Sequence, residues 1–233
     1  MSLPVKLFCA LDVPTRADAS RLAREIAGPG VGLKLGLEFF VAEGPEGVRA
    51  VAQDAPLFLD LKLHDIPNTV AGAIRSACAV GPTLITVMAA GGRAMMRAAA
   101  DAARKAGGRN RPRIVAVTVL TSLDKADLIE TGIEGAIADH ALRLARLARE
   151  SGLDGVVCSP HEVALLRGAL GSDFLLIVPG VRPTGSAIGD QKRVMTPSDT
   201  LRAGADALVV GRPITQASDP AGATRSILTE MAA

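Results

Sequence analysis

Tryptophan and tyrosine are absent from the 233 residues, and phenylalanine occurs only five times. A surface that stacks nucleic-acid bases on aromatic rings therefore has too little to build with. An excess of one charge is missing as well: 26 basic against 24 acidic residues leave a net charge of +2. Such a balance gives no general field for nucleic acid or a membrane surface, so any anion must be held by a local site. The one basic run, Arg104 to Arg113 (RKAGGRNRPR), reads as a solvated helix end and loop rather than a binding patch. The three cysteines, Cys9, Cys78 and Cys158, are odd in number and contain no CxxC pair. That argues against a disulfide framework or zinc knuckle and for reduced thiols in the cytoplasm. The three histidines, His64, His140 and His161, include no HxxxH pair, so their spacing suggests no metal site. Long apolar runs are lacking too. The opening stretch MSLPVKLFCALDV is too short for a signal peptide or a membrane span. A cytoplasmic protein without nucleic-acid or membrane partners is expected.

What is present is a large apolar fraction, 48% of residues, distributed in short runs from end to end. The runs Lys6–Val13, Gly32–Leu37, Leu57–Leu63, Leu84–Ala89, Ile114–Leu120, Gly155–Ser159, Leu175–Pro179 and Ala207–Gly211 are nearly continuous in aliphatic residues. Strands buried on both faces have this character. Amphipathic stretches lie between them. Thr15–Ala27 opens on a natural N-cap, Arg93–Ala106 and Ala136–Ser151 have helical spacing with Gly152 as a stop, and Asp219–Met231 ends the chain. Eight strands alternating with helices predict a single-domain α/β fold, the (β/α)8 or TIM barrel, over residues 1–233. An open doubly wound sheet is the alternative, although it more often has fewer strands. In a barrel, chemistry collects at the C-terminal ends of the strands.

Those ends carry charge. Strand three reads DLKLHDIPNT, residues 60–69. Side-chain alternation puts Asp60 and Lys62 on one face, about 6.6 Å apart along the strand, with Leu59, Leu61 and Leu63 on the other. Charged residues facing a barrel interior are costly unless paired or used, and a buried ion pair that merely fixes packing is the plain alternative. Asp12 at the end of strand one and Lys34 on strand two extend the pattern into an alternating acid–base row on three neighbouring strands. Asp65 follows at the end of strand three. At an effective dielectric near 20, opposite charges 4 Å apart attract by about 4 kcal/mol, enough to hold a lysine in place and keep the carboxylates ionised. Strand eight ends in Gly211-Arg212-Pro213. A glycine and an arginine there suit a phosphate, through backbone N–H groups and a fork of donors, unless they form an ordinary turn. Strand seven ends in Pro179-Gly180-Val181-Arg182-Pro183 and leads into a polar stretch, Thr184 to Gln191, long enough to fold over a ligand. Arg182 and Gln191 are candidate phosphate donors. Thr121 and Ser122, after strand five, either meet a ligand's heterocycle or cap a helix. The glycines of GPGVGLKLG precede a strand and lack dinucleotide-binding spacing, and Cys158 reads as core.

The runs ALDV, LKLG, FLDLKLHDIPNT, TVLTS, DGVVCSP, PGVRP, GDQKRVMTP and VVGRPIT, in that order from strand one to strand eight, closely resemble the orotidine 5′-phosphate decarboxylases of bacterial type. DLKLHDIPNT is the most specific of them. The resemblance implies conversion of orotidine 5′-phosphate to uridine 5′-phosphate, the last step of de novo UMP synthesis, without metal or organic cofactor. It implies Lys62 as proton donor to carbon 6 of the pyrimidine and Asp60 as the carboxylate beside the departing one. Lys34 and Asp12 resemble the ribose-contacting and lysine-orienting pair. Asp65 and Thr69 resemble residues that reach the neighbouring subunit's site, which implies a homodimer. Thr121 falls in the pyrimidine-contacting segment, and Pro179, Arg182, Gln191, Gly211 and Arg212 fall at loop and phosphate positions. Two residues depart from the common VHASGG after strand four: Met88 replaces the histidine and Ala90 the serine. Leu63 replaces a common phenylalanine. These changes bear on local packing. Two rival readings remain. A sugar-phosphate decarboxylase of the same superfamily would share Asp60, Lys62 and Asp65 but use magnesium, and a non-catalytic barrel would bind nucleotide without turnover.

Overall fold

The structure is a computed structural model that describes residues 3–108, 111–183 and 195–232. Its strands are β1 (Leu7–Ala10), β2 (Val31–Gly36), β3 (Leu57–Leu63), β4 (Leu84–Met88), β5 (Arg113–Val117), β6 (Gly155–Val157), β7 (Leu175–Val178) and β8 (Ala207–Val210). They pair in parallel in chain order, and β8 closes on β1, so the sheet is a barrel with the predicted number of strands. The helices are α1 (Arg16–Ile26), α2 (Leu37–Ala52), α3 (Pro67–Cys78), α4 (Gly92–Gly107), α5 (Lys125–Glu130), α6 (Ile137–Glu150), α7 (Val163–Leu170), α8 (Pro197–Arg202), α9 (Arg212–Thr215) and α10 (Pro220–Ala232). Thr15 caps α1 as expected, its hydroxyl accepting from the Asp18 N–H at 3.2 Å. α2 breaks at Gly44, where φ is 62° and Pro45 follows.

Alternation along the strands sorts the apolar residues into two cores. Phe8, Phe58, Leu84, Val115, Ile177 and Val209 fill the barrel interior, with Phe8 and Phe58 edge to face at 5.7 Å between ring centres. The intervening positions, such as Leu7, Leu35, Leu59, Ile85 and Leu176, pack outward against the helices. Gly32 makes room for the interior rings: a Cβ there would stand 2.7 Å from Phe8. Several runs read as strand extend beyond the strands themselves. β1 ends at Ala10 and β5 at Val117, yet Leu11 and Val119 beyond them remain buried, at 0% and 5% exposure.

The N-terminal rim of the barrel, away from the expected site, is held by a repeated device. Asp154, just before β6, accepts the Ile114 N–H of β5 at 2.8 Å and both terminal nitrogens of Arg111, at 2.7 and 2.8 Å. Asp206, just before β8, accepts the Leu176 N–H of β7 at 2.8 Å and Arg167 at 2.6 Å. Each aspartate satisfies a backbone donor at the beginning of a strand and fixes an arginine over it. This corrects the reading of the basic run as solvated at Arg111, which is a structural clamp, whereas Arg104, paired with Asp101 at 2.6 Å, stands exposed in the last turn of α4 as that reading expects. Arg109 lies outside the described residues.

Candidate active site

A cavity of about 620 Å³ opens at the C-terminal end of the barrel. Its charged wall comes from the first three strands. Asp12, Lys34, Asp60 and Lys62 all line it, and they form one continuous row. Lys34 Nζ lies 3.1 Å from Asp12 Oδ1 and 3.5 Å from Asp60 Oδ2, while Lys62 Nζ lies 2.7 Å from the same Asp60 oxygen. Lys34 and Asp60 are each 8% exposed. Burial alone would raise the Asp60 carboxyl, but the Lys34 and Lys62 charges, with hydrogen bonds from Lys62 and Thr86, outweigh it and hold the group below its ordinary range. Burial would likewise lower Lys34, but Asp60 and Asp12 keep it above its ordinary value. Lys34 and Asp60 therefore stay ionised at neutral pH, as an ammonium and a carboxylate. Gly36 leaves space for the row: a Cβ there would meet Lys34 Nζ at 3.3 Å and Asp12 Oδ1 at 3.4 Å.

β3 does not run regularly through this region. Its register with β4 shifts between Leu59 and Leu63, and Lys62 has φ 48°, in the left-handed region that a side chain with a Cβ rarely adopts. Such a conformation costs on the order of 1–3 kcal/mol and persists only where its surroundings impose it. Simple alternation predicted the shared face of Asp60 and Lys62 but not this backbone turn. Fully buried Thr86 on β4 stands against it. Its hydroxyl accepts the Lys62 N–H at 2.8 Å and donates to Asp60 Oδ1 at 2.9 Å. Sequence reasoning missed Thr86. The available signal was parity, since Thr86 lies two residues from interior Leu84 in an otherwise apolar strand.

The far wall comes from the last strands. Pro179 and Arg182 follow β7, four strands around from β3, and Gly211 and Arg212 begin α9. Arg182 is fixed by its N–H to the Met195 carbonyl at 3.0 Å and by Nη1 to the Val181 carbonyl at 3.0 Å. Thr121 also lines the cavity. It does not cap α5, a role filled by Asp124 through a capping box with Asp127, and Ser122 is outside the lining. Cys158 is buried and touches the cavity wall. Asp18 and Arg21 of α1 contribute to the lining unforeseen.

The remaining expected residues lie elsewhere. Asp65 and Thr69 are exposed beside the start of α3 and do not line this chain's cavity. Asp65 Oδ1 accepts the Ile66 N–H at 2.6 Å. Gln191 lies outside the described residues. Met88 and Ala90 sit at the end of β4 and in the short 3₁₀ turn Ala89–Gly91, off the cavity wall. Among the described residues no group of three or more His, Cys, Asp or Glu is placed to hold a metal ion, and no helix is long and apolar enough to cross a membrane.

Residues 5–227 match the model of the orotidine 5′-phosphate decarboxylase / HUMPS family. The chain belongs to that family. As a member of this decarboxylase family it is an enzyme, a carboxy-lyase. It is 53% identical to the orotidine 5′-phosphate decarboxylase of Rhodospirillum rubrum, over 97% of this chain and 93% of the relative. It is 56% identical to that of Anaeromyxobacter sp. (strain K), over 95% and 96%. The crystal structure of orotidine 5′-phosphate decarboxylase from Lactobacillus acidophilus superposes with a TM-score of 0.87 at 36% identity, covering 98% of this chain and all of that one. For a decarboxylase of this family, the cavity's polarity is suited to a substrate with charge at two ends, one end at the Lys–Asp row and the other at the arginines.

Proposed function

We propose that this enzyme converts orotidine 5′-phosphate to uridine 5′-phosphate in pyrimidine synthesis, with no metal or organic cofactor, and that Lys62 delivers the proton. The observation that carries the reading is the Lys62 ammonium, held 2.7 Å from buried Asp60 at the mouth of a cavity whose far side presents Arg182 and Arg212.

The carbon–carbon bond to the carboxylate breaks, carbon dioxide leaves, and the electron pair stays on carbon 6 of the ring. No ring orbital delocalises that pair well. The Lys62 ammonium stabilises it as it develops and then transfers its proton to the same carbon. Asp60 holds Lys62 in place by opposite charge and is itself paired with Lys34, so little reorganisation accompanies the step. Asp60 stands beside the departing carboxylate, where repulsion in the ground state disappears as carbon dioxide forms. Asp12 and Lys34 contact the ribose, Thr121 the pyrimidine, and Pro179, Arg182, Gln191, Gly211 and Arg212 the loop and phosphate end. Binding energy from the phosphate, remote from the reacting bond, can draw the site together around the ring. Asp65 and Thr69 reach the site of a second copy of this single-domain chain in a cytoplasmic homodimer. Their exposure at the start of α3, away from their own cavity, supports that role.

The test is to follow orotidylate absorbance and carbon dioxide release with purified protein after exhaustive chelation with EDTA. Undiminished turnover is expected. Turnover that vanishes with chelation and returns with magnesium would favour the sugar-phosphate branch of the superfamily instead, and tight uridine 5′-phosphate binding without any turnover would reduce the protein to a binding barrel.

A further inference from the structure

Thr86 is fully buried in the middle of β4, yet it touches the charged row from both sides: its hydroxyl accepts the backbone N–H of Lys62 and donates to Asp60 Oδ1. A hydroxyl has one hydrogen to give and lone pairs to accept with, so both roles are met by the same oxygen at once. The two partners are the two ends of one structural problem. The Lys62 backbone stands at φ 48° where the β3–β4 ladder slips register, and that slip takes the Lys62 N–H away from regular strand pairing. The Asp60 carboxylate receives Lys62 and Lys34 on Oδ2, leaving Oδ1 to be oriented by something else.

We infer that Thr86 is a positioning residue for the decarboxylation: it locks the left-handed turn at Lys62 and the rotation of the Asp60 carboxylate together, so that ammonium and carboxylate are set relative to each other before substrate arrives. The inference rests on the reading of Lys62 and Asp60 given above. Thr86 itself lies behind the row and off the cavity wall, so it acts through those two groups and not on substrate. A valine keeps the shape but can neither accept nor donate. A serine keeps the hydroxyl and loses only a methyl group.

The experiment compares wild type, Thr86→Val and Thr86→Ser. In Thr86→Val, kcat should fall about 10- to 100-fold, the scale of a lost hydrogen bond to a charged group, while the affinity for uridine 5′-phosphate stays within about threefold because the phosphate and ribose contacts remain. Thr86→Ser should restore most of kcat. A second readout needs no substrate: hydrogen exchange of the Lys62 amide, followed by NMR on labelled protein, should accelerate at least about tenfold in Thr86→Val and return toward the wild-type rate in Thr86→Ser. Unchanged kcat and unchanged Lys62 exchange in Thr86→Val would overturn the inference, as would equal losses in both variants, which would assign Thr86 to packing alone. Faster exchange at Lys62 in a protein that never turns over orotidylate would preserve the clamp and remove the reading of the reaction instead.

Discussion

Asp60 and Lys34 are the residues where electrostatics decides most. The Asp60 carboxyl is held below its ordinary value of 3.8, so it favours the folded state at any pH above that value, and the contribution disappears as pH falls through the lower folded value. The Lys34 ammonium is held above 10.5, so its contribution is complete below 10.5 and is lost as pH rises through the higher folded value. Between those limits the pair should give a stability plateau in urea titrations. Asp60→Asn should lower that plateau by roughly 3 kcal/mol, because it leaves a buried ammonium with only Asp12 as counter-charge. A variant as stable as wild type at neutral pH would show that the row costs as much as it contributes. These residues were legible in the sequence, because charge on the inward parity of neighbouring strands has few uses. Thr86 was not. A threonine in a strand is unremarkable alone, and its meaning arises only when folding brings it against Asp60, 26 residues earlier in the chain.

At the scale of elements, strands and helices were readable because a parallel barrel buries both faces of each strand and leaves runs of aliphatic residues. Their ends were less so. Apolar character continues past the assigned strand ends wherever the chain still packs on the helices, as at Leu11 and Val119. The clamps at the N-terminal rim were also hidden, since Arg111 and Asp154 are far apart in sequence and each looks like a surface charge. Asp154→Ala and Asp206→Ala each remove an acceptor from a strand N–H and an arginine. Each should destabilise the fold by about 1–3 kcal/mol in urea denaturation. Neither should change kcat, because both lie at the end of the barrel away from the cavity. A fall in kcat without loss of stability would mean that the two rims are coupled.

For the whole molecule, the question is whether one chain holds a complete site. Nine of the expected residues converge on one cavity, with acid–base groups from β1 to β3 facing arginines that follow β7 and begin α9. Asp65 and Thr69 remain outside it. If a second copy receives them, two inactive proteins should complement each other. Lys62→Ala and Asp65→Ala, mixed and allowed to exchange subunits, would form dimers with one intact site, combining Lys62 of one chain with Asp65 of the other. Recovered turnover is expected, together with a dimeric mass by sedimentation. A monomer, or no recovery on mixing, would exclude Asp65 from the neighbouring subunit's site.

The most direct test is turnover of orotidine 5′-phosphate by Lys62→Ala beside its affinity for uridine 5′-phosphate. Removing the ammonium should cut kcat by at least about 10³-fold, the combined scale of a lost proton donor and a lost charge at the reacting carbon, while uridine 5′-phosphate still binds. A Lys62→Ala enzyme that decarboxylates at the wild-type rate would contradict the account.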